Sequence, residues 1–201
     1  EAALVGETWA MGNSFLKPDP VKHWADDPQS QWQYILFMQS PLDQMAKSHM
    51  EIDARTAYTY EAITVTEAST QNLVDAGIQY LASYKDDAGR WLDGGKAYEL
   101  IVPPNVPMLN FWSVVLYDND TRCMIVNRQG KTEVNSRQPL VKNKDGSVRL
   151  VFSSRKPGGV PDANWIQTNP EKGFFAYFRW YSPTKAFFDR SWKMGNIVEV
   201  K

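Results

Sequence analysis

Phe174-Phe175-Ala176-Tyr177-Phe178-Arg179-Trp180-Tyr181 is the stretch that decides how this chain folds. In an extended segment successive side chains point to opposite faces. One face then carries Phe174, Ala176, Phe178 and Trp180, a complete apolar set that reads as core. The other carries Phe175, Tyr177, Arg179 and Tyr181. An arginine between two tyrosines is costly to bury unpaired, so Arg179 must meet an acid, water or a ligand. Two readings of this second face stay open. It packs against helices with Arg179 paired to an acid, most simply Asp53, Asp93 or Asp189. Or its rings and guanidinium form a stacking platform for a sugar or an aromatic or anionic ligand.

The same period of two recurs upstream. Ile78, Tyr80, Ala82 and Tyr84 alternate with Gln79, Leu81 and Ser83. Lys96 to Val102 follows the turn Asp93-Gly94-Gly95. Phe111 to Tyr117 is apolar on both sides except at Ser113, which marks a central strand covered on both faces. Arg122 to Val126, Val148 to Phe152 and Ile197 to Val200 complete about seven or eight strands, the pattern of a sandwich or jelly roll. Cys123, the one cysteine, falls in the Arg122–Val126 run and reads as a small buried hydrophobe. Asn127 to Ser147 and Ser153 to Gly173 are long connections, and connections of that length usually carry function or are disordered. Trp165 and Ile166 predict that the second is packed down.

The first third reads helical. Ala2 to Leu16 forms one helix, stopped by Pro18 and Pro20. Val21 to Gln33 reads as a loop. Leu42, Met45, His49, Ile52, Thr56, Thr59 and Ile63 recur at steps of three and four, one face of a second helix. The expected architecture is mainly β: a small helical segment over 1–70, then a jelly-roll-like β-sandwich over 71–201, in one body.

Composition removes several function classes. Twenty-two basic against 23 acidic residues give a net charge of −1, without the basic footprint of a general nucleic-acid binder. No apolar run is long enough to span a membrane as a helix, and no partnership with a membrane is expected. His23 and His49 stand apart from each other and from Cys123, so no metal site and no cofactor are expected. There is no Gly-x-Ser-x-Gly elbow and no phosphate-binding glycine loop. Asp86-Asp87, Asp93 and Asp118-Asn119-Asp120 read as turn formers, whose side chains cap nearby backbone N–H groups. Asp53 and Arg55 read as an ion pair anchoring helix to sheet, or Arg55 faces a cavity and holds an anionic or hydroxylated group.

Several runs, in order, resemble a bacterial family, domain of unknown function 1214. They include Ile52-Asp53-Ala54-Arg55-Thr56, Leu92-Asp93-Gly94-Gly95-Lys96-Ala97-Tyr98 and Pro103-Pro104-Asn105-Val106-Pro107. Phe111-Trp112-Ser113-Val114, Ala163-Asn164-Trp165-Ile166-Gln167-Thr168 and Gly173-Phe174-Phe175 continue the match. Arg137 departs from the pattern, which often has Gln there. The resemblance implies a jelly-roll-like domain beside a helical segment. It also implies an upstream β domain related to domain of unknown function 1254, and export to the periplasm or beyond. It supplies no catalytic residues.

Three function classes follow. A binding module for a small polar molecule or carbohydrate would use Arg179, Tyr177 and Tyr181, with Arg55 and Asn164 as neighbours. A scaffold or interface domain would cover the same surface with an upstream domain or a second copy. An enzyme would need a pocket between the helices and the sheet.

Overall fold

The apolar face of 174–181 can be buried only if a second layer lies over it, and the computed structural model supplies one. It describes residues 1–15, 24, 27–35, 59–60 and 73–200. One helix, α1 (Ala2–Phe15), precedes nine strands among these residues. They are β1 (Trp32–Tyr34), β2 (Ile78–Ser83), β3 (Ala97–Val102), β4 (Met108–Asp118), β5 (Glu133–Asn135), β6 (Val148–Ser153), β7 (Trp165–Gln167), β8 (Phe174–Pro183) and β9 (Val198–Val200). A four-residue helix, α2 (Lys185–Phe188), follows β8. One sheet runs β1-β2-β8-β4-β5 and the other β7-β6-β3-β9. Only the β6–β7 pair is parallel. The chain is therefore mainly β, in two sheets.

The two inner faces share one core. Leu81, Trp112, Val114, Phe178 and Trp180 of the first sheet pack with Tyr98, Leu100, Leu150 and Phe152 of the second. Phe174 meets Tyr98 and Phe152 edge-on at 5.8 and 6.3 Å, geometries aromatic pairs favour. The alternation read from 174–181 holds. Phe174, Ala176, Phe178 and Trp180 lie in this core, while Phe175 and Tyr177 join a smaller cluster with Ile35, Ala82 and Tyr84 on the outer face.

Several sequence expectations need correction or fall outside the described residues. Cys123 is exposed, and the Arg122–Val126 run is not a strand: one bridge, Tyr117 to Met124, is all that forms. Asp118 folds the chain into a turn by accepting the Asp120 and Thr121 N–H groups, and Arg122 takes a left-handed φ of 60°. That turn leaves Ile125, not Cys123, facing inward. Three-residue strands β5 and β7 sit in the two stretches read as loops, and β1 sits in the first third. The helix expected over 42–63 lies outside the described residues except at Thr59 and Tyr60, which are helical. His23, His49, Asp53 and Arg55 also lie outside them.

The edge strand β7 is blocked by side chains. The Gln129 amide Nε2 donates to Trp165 O, its Oε1 accepts from the Gln167 N–H, and Asn127 Nδ2 donates to Gln167 O. An edge so occupied cannot template another strand. The Trp165 indole donates to Ser153 O and Oγ, which packs the second connection down as expected.

Gly94 fixes how closely the 93–96 turn approaches the segment before β8. A Cβ there would lie 2.0 Å from Asn169 O and 2.7 Å from Lys172 O, both backbone. Gly94→Ala is expected to cost about 1–3 kcal/mol through forced displacement of that segment. Urea unfolding would show a lower midpoint with an unchanged slope.

Candidate functional site

Strand pairing assembles the site. Residues opposed across antiparallel strands project to the same face. Arg179 of β8 stands opposite Tyr80 on β2 and Ser113 on β4, and Ser113 stands opposite Asn135 on β5. This makes a polar row, Tyr80-Arg179-Ser113-Asn135, across the outer face of the first sheet. Tyr181 and Phe111 flank it on one side, and Ala82, Tyr177 and Val115 on the other.

The row is partly sealed. Ser113 and Val115 are 0% exposed and Tyr177 is 6% exposed, whereas Arg179 and Tyr181 are half-buried. Arg179 Nη2 donates to the Tyr117 hydroxyl, and the guanidinium lies 5.7 and 5.8 Å from the Tyr80 and Tyr117 ring centroids. Burial pushes the Tyr117 hydroxyl pKa up, outweighing the pull of the Arg179 charge, so Tyr117 keeps its proton at neutral pH. Arg179 Nε and Ser113 Oγ are both buried without a hydrogen-bond partner among the described residues. Tyr181 stacks on Phe111 at 3.9 Å and 13°, and Arg137 sits 4.2 Å from the Phe111 ring centroid.

Arg179 forms no ion pair with a carboxylate among the described residues. Asp189 is held by Lys185 at 2.6 Å, and Asp93 Oδ1 accepts the Gly95 N–H. Asp53 lies outside the described residues. Arg179, Tyr177 and Tyr181 thus share one face. Asn164 does not join them. It lies in the 3-10 turn Asp162–Asn164 leading into β7 of the second sheet, buried. Its Oδ1 accepts from Val141 N, and its Nδ2 donates to Val141 O and Arg149 O. Tyr80, Ser113 and Asn135 complete the row, and Tyr117 joins it through Arg179, without having been singled out as ligands. Ser113 carried a signal, as the one polar residue of an apolar run.

No group of three His, Cys, Asp or Glu among the described residues is placed to hold a metal. At the opposite end of β4 and β8, Asp118 pairs with Phe174 in register. Its carboxylate meets Lys172 Nζ at 2.9 Å and two backbone N–H groups at 2.9 Å. Burial would raise its pKa, but Lys172 and these donors outweigh it and hold the group below the ordinary carboxylate range.

Residues 76–185 match the model of a family described as protein of unknown function (DUF1214). The chain belongs to that family. No curated protein matches the chain. Among solved structures, the DUF1214 chain is similar to the VPA0106 protein of Vibrio parahaemolyticus, at 28% identity and a TM-score of 0.57. That match covers 76% of this chain and 36% of the other, so the chain spans about a third of that relative's length. It is also similar to an uncharacterised protein of Burkholderia cenocepacia, at 21% identity and a TM-score of 0.44, over 62% of this chain and 30% of that one.

The Asp118 pair sets a pH dependence. A carboxyl with a depressed folded pKa adds stability above its unfolded pKa of about 3.9, and this is lost as pH falls through the folded value. Asn at 118 keeps the backbone acceptor but not the charge. Wild type is expected to exceed Asp118→Asn by up to about 1 kcal/mol at pH 7, since Lys172 is partly solvated. The gap should close below about pH 4 in parallel urea titrations.

Proposed function

We propose that the chain is a binding module whose outer sheet face takes a small polar ligand or carbohydrate through Arg179, with Tyr177 and Tyr181 as aromatic neighbours. One observation supports this above the others: the Arg179 cation has no carboxylate partner among the described residues, and its buried Nε lies across the strand pair from an equally unpartnered Ser113 hydroxyl. Buried polar groups are ordinarily satisfied, and a ligand acceptor atom would satisfy both. Tyr117, still protonated, adds a third donor beside them. Arg55 and Asn164 remain part of the proposal as neighbours, although Asn164 is committed to backbone contacts in the other sheet. The jelly-roll-like form of the two sheets and export to the periplasm or beyond belong to the same reading, supported by the family resemblance.

An interface role is the second reading, and α1 favours it. Leu4, Val5, Trp9 and Met11 of that helix are exposed. The upstream domain implied by the resemblance, or a second copy, would cover them.

The experiment is a panel of carboxylates, sugars and neutral polyols tested against wild type and Arg179→Gln. A ligand found by calorimetry is expected to lose about 10-fold to 100-fold in affinity in the variant, the range of one charge-assisted hydrogen bond. The melting temperature should move by no more than about 2 °C. A large fall in melting temperature, with no ligand found for wild type, would assign Arg179 to the fold instead.

A further inference from the structure

A second, independent feature lies beyond the far end of β8. Two contiguous depressions, of about 350 and 890 Å³, share Val126 and Asn169. Both fall in or near the size range of small-molecule sites, roughly 300–1,000 Å³. Their walls differ. The smaller is lined by Met124, Ile125, Val126 and Phe174, together with Cys123 and the Asp118–Lys172 pair. The larger is lined by Arg128, Arg155, Gln167, Asn169 and Glu171.

The apolar half is open to solvent. Met124 and Val126 are 55% and 87% exposed, on a segment whose intervening Ile125 is buried. The polar half has a charge imbalance. Lys172 neutralises Asp118, while the Arg128 and Arg155 side chains make no ion pair or hydrogen bond among the described residues. Glu171 is the one acid facing them in this half. The walls are rigid. Gln167 Nε2 holds Ser154 O, Gln167 Oε1 holds Gln129 N, and Thr168 Oγ1 donates to Gly94 O. Arg128 and Arg155 both line the larger depression, on loops whose neighbouring residues are held by hydrogen bonds.

We infer that this groove binds a free single-chain anionic amphiphile. Its alkyl chain lies along Met124 and Val126, and its carboxylate or sulfate head lies between Arg128 and Arg155. The occupant follows from charge complementarity at one end and exposed apolar surface at the other. A neutral apolar molecule would leave the two cations unmet. A compact anion would leave Met124 and Val126 in water.

The test uses linear carboxylates of six to twelve carbons, kept below their micelle concentrations and titrated into the 201-residue chain by calorimetry. Affinity should rise about threefold to fourfold per methylene and fall at least tenfold for the methyl esters. Arg128→Gln combined with Arg155→Gln should weaken every carboxylate at least tenfold while keeping the chain-length slope. Val126→Asp should abolish the slope. All three positions are exposed, so folding is preserved. A flat chain-length series, or equal affinity in the double variant, would overturn the proposal. So would binding confined to anionic phosphatidylglycerol vesicles with none to monomeric carboxylates, which would place the charge contacts at a membrane surface.

Discussion

Strand β8 is hydrogen-bonded along both edges, to β2 and to β4, and is aromatic on both faces. That constraint governs the rest of the structure. A strand in this position cannot turn either face to water without exposing several rings, so it needs a layer on each side. The second sheet covers Phe174, Ala176, Phe178 and Trp180. On the outer side Ile35, Ala82 and Tyr84 gather around Phe175 and Tyr177, and Arg122 lies 4.1 Å from the Phe175 ring centroid. Cover thins toward Arg179 and Tyr181, which stay half-buried. The polar row therefore occupies the boundary where packing gives way to solvent, and a cation there keeps part of its hydration.

Legibility in the sequence followed element length. Six residues of period two suffice to mark β2, β3, β6 and β8, because alternation repeats often enough to exclude a helix. Of the three-residue strands, β9 is legible in the run Ile197 to Val200, whereas β1, β5 and β7 are not and rest on longer partners: β5 on β4, β7 on β6, β1 on β2. Cys123 misled for a related reason. Its apolar neighbours resemble a strand, yet the Asp118 side chain captures the local backbone first and turns it. Side-chain bonds to nearby N–H groups compete with ladder formation wherever Asp follows a strand.

The candidate site was half legible. Alternation alone put Tyr177, Arg179 and Tyr181 on one face. Their partners come from β2 and β4, and register across such sequence distances is not encoded in any local pattern. Asn164 shows the opposite failure. An amide in a long connection looks available for a ligand, but its geometry satisfies three backbone groups at once. Such a clamp is the structural use of Asn where chain segments meet without a ladder between them.

Energetics separates the polar row from ordinary sheet packing. A face built only for stability gains from apolar residues at its covered positions, since replacing an unpaired buried hydroxyl by a methyl group removes a desolvation cost without losing a bond. Val115 and Ala82 do this beside the row. Ser113, fully buried between Arg179 and Asn135, does not. Nor does Arg179 relieve it: the guanidinium turns its Nη2 toward Tyr117 and leaves its Nε unmet. Ser113 Oγ can accept as well as donate, yet neither it nor Arg179 Nε has a hydrogen-bond partner among the described residues. On the proposed reading, an oxygen atom of the ligand would satisfy both groups at once, accepting from Nε–H and from Oγ–H. Under that proposal the central strands would aid recognition, since groups held on a sheet need little reordering on binding.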